Sequence, residues 1–112
     1  MSKAYYVYIL ESKYGRSPYI CITGNIINRM FQHKNHLING YTDKCNATKL
    51  IYLEEFVDSK EAIKREKQLK GWTRSKKYGL VDKVNPDRKD LSESWGISIL
   101  SPTERRLWVE NY

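Results

Sequence analysis

At 112 residues the chain has room for one hydrophobic core and no separate regulatory domain, and its net charge is +7. A hydrophobic fraction of 40% with 12% aromatics places it among globular rather than disordered chains. No stretch approaches the roughly 20 apolar residues needed to span a bilayer, which argues against a membrane partner.

Met1-Ser2-Lys3-Ala4-Tyr5 lacks the apolar run and small-residue cleavage site of a signal peptide. Cys21 and Cys45 have no C-x-x-C spacing, so the expected setting is a reducing cytoplasm and a Cys21–Cys45 disulfide is the less favoured alternative. Tyr5-Tyr6-Val7-Tyr8-Ile9-Leu10, aromatic and β-branched, predicts a strand. Glu11 to Pro18, with Gly15 and Pro18, reads as a loop, and Tyr19-Ile20-Cys21-Ile22 as the return strand of a hairpin. Asn25 is placed to cap a helix in which Ile26, Ile27, Met30 and Phe31 form one apolar stripe and Arg29 and His33 share an edge.

Lys34 to Asn46 is polar and contains the turn pair Asn39-Gly40. Leu50-Ile51-Tyr52-Leu53 predicts a third strand. Asp58-Ser59-Lys60-Glu61 has the form of a capping box opening a second helix that Gly71 ends. Trp72 to Val81 predicts a third helix, and Pro86 with the charged run Asp87 to Asp90 marks a break. The tail, residues 92–112, carries Trp95, Ile97, Ile99, Leu100, Leu107 and Trp108, too apolar for a solvated linker. It is expected to pack on the domain of residues 1–91 or to form a homodimer contact.

The positive charge is concentrated. Lys60, Lys64, Arg65, Lys67, Lys70, Arg74, Lys76 and Lys77 stand against only Glu61 and Glu66 in the same stretch. Such a surface attracts a polyanion through counterion release; a solvated helix face is the bland explanation, and composition leaves both open.

Glu66 shares a helix face with Ala62, Ile63 and Leu69, residues expected to point at the sheet. A carboxylate beside that stripe is costly unless a cation compensates it. Mg²⁺ or Mn²⁺ would do so; so would a salt bridge to Arg29, Lys64 or Lys70. Tyr6 and Tyr8 lie on one face of the first strand and Tyr19 on its partner, a pattern that ordinary amphipathic packing also explains.

In order, Tyr6-Val7-Tyr8, then Tyr19-Ile20-Cys21, then Arg29 and His33, then Lys64-Arg65-Glu66 resembles the GIY-YIG nuclease pattern. The compact single-domain bacterial members are the nearest in form, through the segments Tyr5 to Leu10, Thr23 to Lys34, Tyr52 to Glu55 and Ala62 to Trp72, with Asn85-Pro86 and Asp90-Leu91 downstream. The resemblance implies an α+β fold, a small central three-stranded antiparallel sheet flanked by helices, and one divalent metal, Mg²⁺ or Mn²⁺. It implies roles for Tyr8 in activating water, Tyr19 in positioning water or phosphate, Arg29 in neutralising phosphoryl charge, His33 beside the scissile phosphate and Glu66 as metal ligand. Lys44, Lys64, Arg65, Lys67, Lys70, Arg74, Lys76 and Lys77 are the candidate nucleic-acid contacts, and Lys44 and Asn85 are weaker candidates for the site itself.

The physics is compatible with those roles. An arginine fork matches phosphate oxygens, a metal supplies Lewis acidity, and a tyrosine of ordinary pKa near 10 needs a partner such as histidine to act as a base. The sequence departs from the pattern where Cys21 replaces the second glycine, where Tyr6 replaces the first, and where Gly24-Asn25 and Asn28 alter the helix entry. Glycine at the Cys21 position would allow close approach of backbone or substrate. The expected function is therefore a metal-dependent DNA endonuclease, in repair or recombination, with RNA as an open alternative substrate. The rival reading is a nucleic-acid-binding module on the same fold, disabled by Cys21.

Overall fold

A computed structural model describes residues 4–12, 17–37 and 47–110. The Asn39-Gly40 turn, Lys44 and Cys45 lie outside the described residues. The elements are β1 (Tyr5–Ser12), β2 (Pro18–Thr23), α1 (Ile26–Lys34), β3 (Ala47–Phe56), α2 (Ser59–Lys70), α3 (Arg74–Val84), a 3₁₀ turn (Glu93–Trp95) and α4 (Pro102–Glu110). The three strands form an antiparallel sheet in the order β2-β1-β3, the α+β architecture expected from the sequence.

β1 is central and covered on both faces, which explains why it reads as an almost unbroken apolar run. Val7 and Ile9 face one layer with Ile51, Ala62, Leu69 and Val81, beneath α2 and α3. Tyr8 and Leu10 face the other with Ile26, Met30 and Leu50, beneath α1. The capping residues behave as their chemistry dictates: Asn25 Oδ1 accepts from Asn28 N at 3.1 Å and Asp58 Oδ1 from Lys60 N at 3.0 Å. Gly71 ends α2, although its φ of −79° requires no glycine.

Several expectations need correcting: Glu11 and Ser12 belong to β1 and Pro18 to β2 rather than to the loop, and Ile27, 57% exposed, stands outside the buried stripe of α1. The third strand extends well beyond Leu50–Leu53 at both ends. The third helix starts later, at Arg74, because Thr73 Oγ1 caps it by accepting from Lys76 N at 3.2 Å. Ile63 does not point at the sheet; it is 45% exposed, because Ala62 and Leu69 alone fill the buried stripe of α2.

Two polar side chains fix β3. Ile9 faces Tyr52 and Leu10 faces Leu50, so Ile51 is an extra residue in the ladder, a β-bulge. The buried amide of Asn85 donates to the Ile51 carbonyl at 3.0 Å and the Lys89 carbonyl at 2.9 Å. Asp90 accepts from Lys34 Nζ at 2.6 Å, Leu50 N at 3.3 Å, and Ser92 N and Oγ at 3.0 and 2.7 Å. One carboxylate thus joins α1, β3 and the start of the tail. The tail then runs along α1, where Asn35 donates to the Ser98 carbonyl and accepts from Leu100 N.

Burial alone would raise the Asp90 pKa, but the Lys34 ammonium and the Ser92 donors outweigh it and hold the carboxyl below its usual range. A depressed folded pKa contributes stability above the unfolded value of about 3.9 and loses it as pH falls through the folded pKa. Asp90→Asn is therefore expected to lower unfolding stability at pH 7 by about 2 kcal/mol. The gap from wild type should narrow in urea titrations as pH is lowered below about 3.9; a gap that stays constant as pH falls would contradict this.

Candidate active site

The register of β1 with β2 sets Cys21 directly opposite Tyr8 and Tyr19 opposite Leu10. All four side chains lie on the α1 face of the sheet. Ile26 and Met30 are buried there and dock α1, which brings Arg29 and His33 along its edge toward Tyr8. Tyr8 Oη and His33 Nε2 are 2.9 Å apart, and the rings meet edge-on with centroids 5.9 Å apart. Tyr8 is 1% and His33 8% exposed, so the hydrogen bond is buried.

Burial holds the Tyr8 phenol far above its ordinary pKa; Cys21 adds to the rise and the Arg29 guanidinium opposes it. Tyr8 is therefore a neutral phenol at physiological pH, suited to passing a proton to a neighbour rather than to standing ionised. Burial also pushes the Cys21 thiol up to about 11, with the Tyr8 hydroxyl and then Lys70 pulling it back. At neutral pH the thiol is protonated and a poor nucleophile.

Glu66 approaches from α2. Its side chain is 16% exposed and its carboxylate is 3.6 Å from Lys70 Nζ, the plainest of the salt-bridge partners considered. Lys70 is itself 56% exposed, so the pair is weakly held and open to exchange. Cys21 feels the charges of Lys70 and Glu66 from α2 as well as Arg29 from α1. β2 is an edge strand, and charged groups from both layers converge around it.

Among the described residues no three His, Cys, Asp or Glu side chains gather as a closed metal cage. A single accessible carboxylate does not suit Zn²⁺, which takes several protein ligands. It fits Mg²⁺ or Mn²⁺, hard cations that keep several waters and complete their shell with substrate phosphate.

The basic residues divide. Lys64, Lys67, Lys70, Arg74 and Lys76 are exposed, and Lys77 is half-buried. Arg65 turns inward: Nε and Nη2 both lie 3.0 Å from Glu54 carboxylate oxygens and Nη1 2.8 Å from Gln68. Its guanidinium is committed to β3 rather than to the surface. Asn85 is likewise engaged in holding the Ile51 bulge. Lys83, exposed on α3, prolongs the cationic row; the basic stretch counted from Lys60 to Lys77 leaves it out.

A three-stranded α+β fold with Tyr8 of the central strand in contact with His33 of α1 has the form of a domain of the GIY-YIG class. The family's profile, described as the GIY-YIG catalytic domain, matches residues 4–79. The chain belongs to this nuclease domain family. It is similar to a UPF0213 protein of Staphylococcus saprophyticus, with 35% identity over 77 residues, 69% of this chain and 93% of that protein. A UPF0213 protein of Clostridium perfringens is 38% identical over 76 residues, 68% of this chain and 81% of that one. The solution NMR structure of a UPF0213 protein from Bacillus halodurans superposes with a TM-score of 0.52 at 30% identity, covering 81% of this chain and 97% of its own. Nucleases of this family generally use a divalent metal, and no helix among the described residues is long and apolar enough to cross a membrane.

Proposed function

We propose that the protein is a metal-dependent endonuclease that hydrolyses DNA phosphodiester bonds, selecting structure rather than sequence, in DNA repair or recombination. The observation that carries this reading is the buried 2.9 Å contact between Tyr8 Oη and His33 Nε2, set beside Arg29. In the proposed step a water loses a proton to Tyr8 Oη as the Tyr8 proton passes to His33 Nε2. The resulting hydroxide oxygen forms the bond to phosphorus and the bond to the leaving ester oxygen breaks. The Arg29 guanidinium holds and neutralises the phosphate oxygens, and Tyr19 orients phosphate or water from β2. A divalent cation on Glu66 would supply Lewis-acid stabilisation of the phosphoryl charge. The exposed lysines of α2 and α3 would hold the backbone of the polyanion.

Arg29→Ala is expected to slow nicking of supercoiled plasmid by about 10²- to 10³-fold, the range for removing one preorganised donor. Unchanged nicking would remove Arg29 from the site. The Cys21 side chain stands opposite Tyr8 where the family pattern has glycine, which favours a second reading, a nucleic-acid-binding module with little catalysis. Cys21→Gly separates the two: a rate matching wild type supports the enzyme, whereas activity appearing only in the variant supports the lapsed site. The cytoplasmic setting and a homodimer through residues 92–112 belong to this proposal too. Light scattering of the full chain at rising concentration tests the dimer, and a monomer mass throughout would rule it out.

A further inference from the structure

The face of α3 that points away from the Tyr8–His33 site has a feature that the fold does not require. Lys76, Gly79, Leu80 and Lys83 are spaced as one helical stripe, and with Trp72 they line a groove of about 240 Å³. Gly79 lies in the middle of α3, where glycine weakens a helix relative to alanine. Yet a Cβ built on Gly79 would meet nothing within 4 Å, so no neighbour in the fold needs the side chain to be absent. An interior helix glycine that its own packing does not demand is consistent with close approach from outside.

The groove's chemistry says what approaches. Trp72 gives it an aromatic wall, and the Arg65 guanidinium, held by Glu54, lies 5.4 Å from the centre of the indole. Lys76 Nζ lies over the same ring at 4.3 Å, while Lys76 and Lys83 are both exposed. Seven residues separate the two lysines, about 10 Å along the axis, so they bracket the groove. A groove with an aromatic wall and two exposed lysines along it, on a chain of net charge +7, is complementary to a flat base with phosphates beside it.

We infer that the Trp72–Gly79–Lys83 groove on α3 binds an unpaired nucleotide of single-stranded nucleic acid, its base against Trp72 above Gly79 and its flanking phosphates on Lys76 and Lys83. Base stacking outweighs an exposed cation–π contact, so Lys76 exchanges the indole for phosphate as the base enters. The inference rests on the nucleic-acid half of the proposed function and is independent of catalysis. It gives that reading a substrate class, DNA with single-stranded or frayed segments, gripped away from the bond that is cut.

The test is fluorescence anisotropy of the full chain with a labelled 15-nucleotide oligo-dT and, separately, a 15-base-pair duplex, in EDTA so that nothing is cleaved. Gly79→Leu fills the groove on a helix-favouring side chain and is expected to weaken oligo-dT binding at least tenfold, with duplex binding within twofold and no loss of melting temperature. Lys83→Glu is expected to weaken oligo-dT binding and flatten its salt dependence. The inference is overturned if wild type does not bind oligo-dT, if both variants bind it as wild type does, or if Gly79→Leu weakens duplex equally. It is also overturned if Gly79→Leu changes only the mass in solution, which would assign the groove to a second copy of the chain. Loss of nicking elsewhere in the site would leave these binding results untouched, so the two readings fail separately.

Discussion

Glu66→Gln is expected to leave a folded protein whose nicking of supercoiled DNA falls by about 10³-fold or more. The magnitude follows from the several kcal/mol of charge stabilisation that a bound cation supplies, at about 1.4 kcal/mol per tenfold in rate. Glutamine keeps the shape of the side chain and removes the only charge on it that can anchor Mg²⁺ or Mn²⁺. The fold has little to lose, because the partner of Glu66 is the exposed Lys70 at 3.6 Å, a pair worth about 0–1 kcal/mol. The checks are initial nicking rates across a metal titration and a thermal melt of the same preparation. Cutting within tenfold of wild type at saturating metal would mean that Glu66 is an ordinary surface partner of Lys70.

Tyr8→Phe should cost more structurally and nearly as much catalytically. Removing the hydroxyl removes the buried 2.9 Å hydrogen bond to His33 Nε2, a loss of about 0.5–1.5 kcal/mol in unfolding stability. The rate should fall by about 10²- to 10⁴-fold, the range for losing a positioned proton-transfer group. Comparing the nicking rate with the thermal melt of the same preparation separates the two contributions. A destabilised variant with a near-normal rate would show Tyr8 to be a packing residue.

The parts of the fold that depend on neighbours in the chain were legible in the sequence. Tyr5 to Leu10 is β-prone residue by residue, and Asn25 and Asp58 cap helices with their own side chains. What the sequence hid is set by partners far along the chain. β3 is lengthened and bulged because Asn85 and Asp90, arriving 34 and 40 residues later, satisfy Ile51 and Leu50. The phase of α2 was misread at Ile63, since an apolar residue at the margin of a stripe is indistinguishable from one inside it until the helix docks. Arg65 looked like the other basic residues, and only the approach of Glu54 from β3 distinguishes it.

The candidate site divides in the same way. Its residue types were visible through the family resemblance, but the Tyr8–His33 contact spans 25 positions and exists only because Ile26 and Met30 seat α1 on the sheet. Cys21 was visible as a departure from the pattern. That it faces Tyr8 on the same side of the sheet came from the strand register. The groove on α3 was not read in advance, because Trp72 precedes α3 and its ring joins the stripe of Lys76, Gly79 and Lys83 only through the packing of the folded chain.

The most direct test of the central claim is a time course of supercoiled plasmid incubated with the wild-type protein in Mg²⁺ or Mn²⁺, with a parallel sample in EDTA. The account predicts that open-circular DNA accumulates with either metal and not in EDTA, in proportion to protein concentration. Plasmid that stays supercoiled with both metals, from protein shown to be folded and to bind DNA, would contradict it and leave a binding module on a nuclease fold.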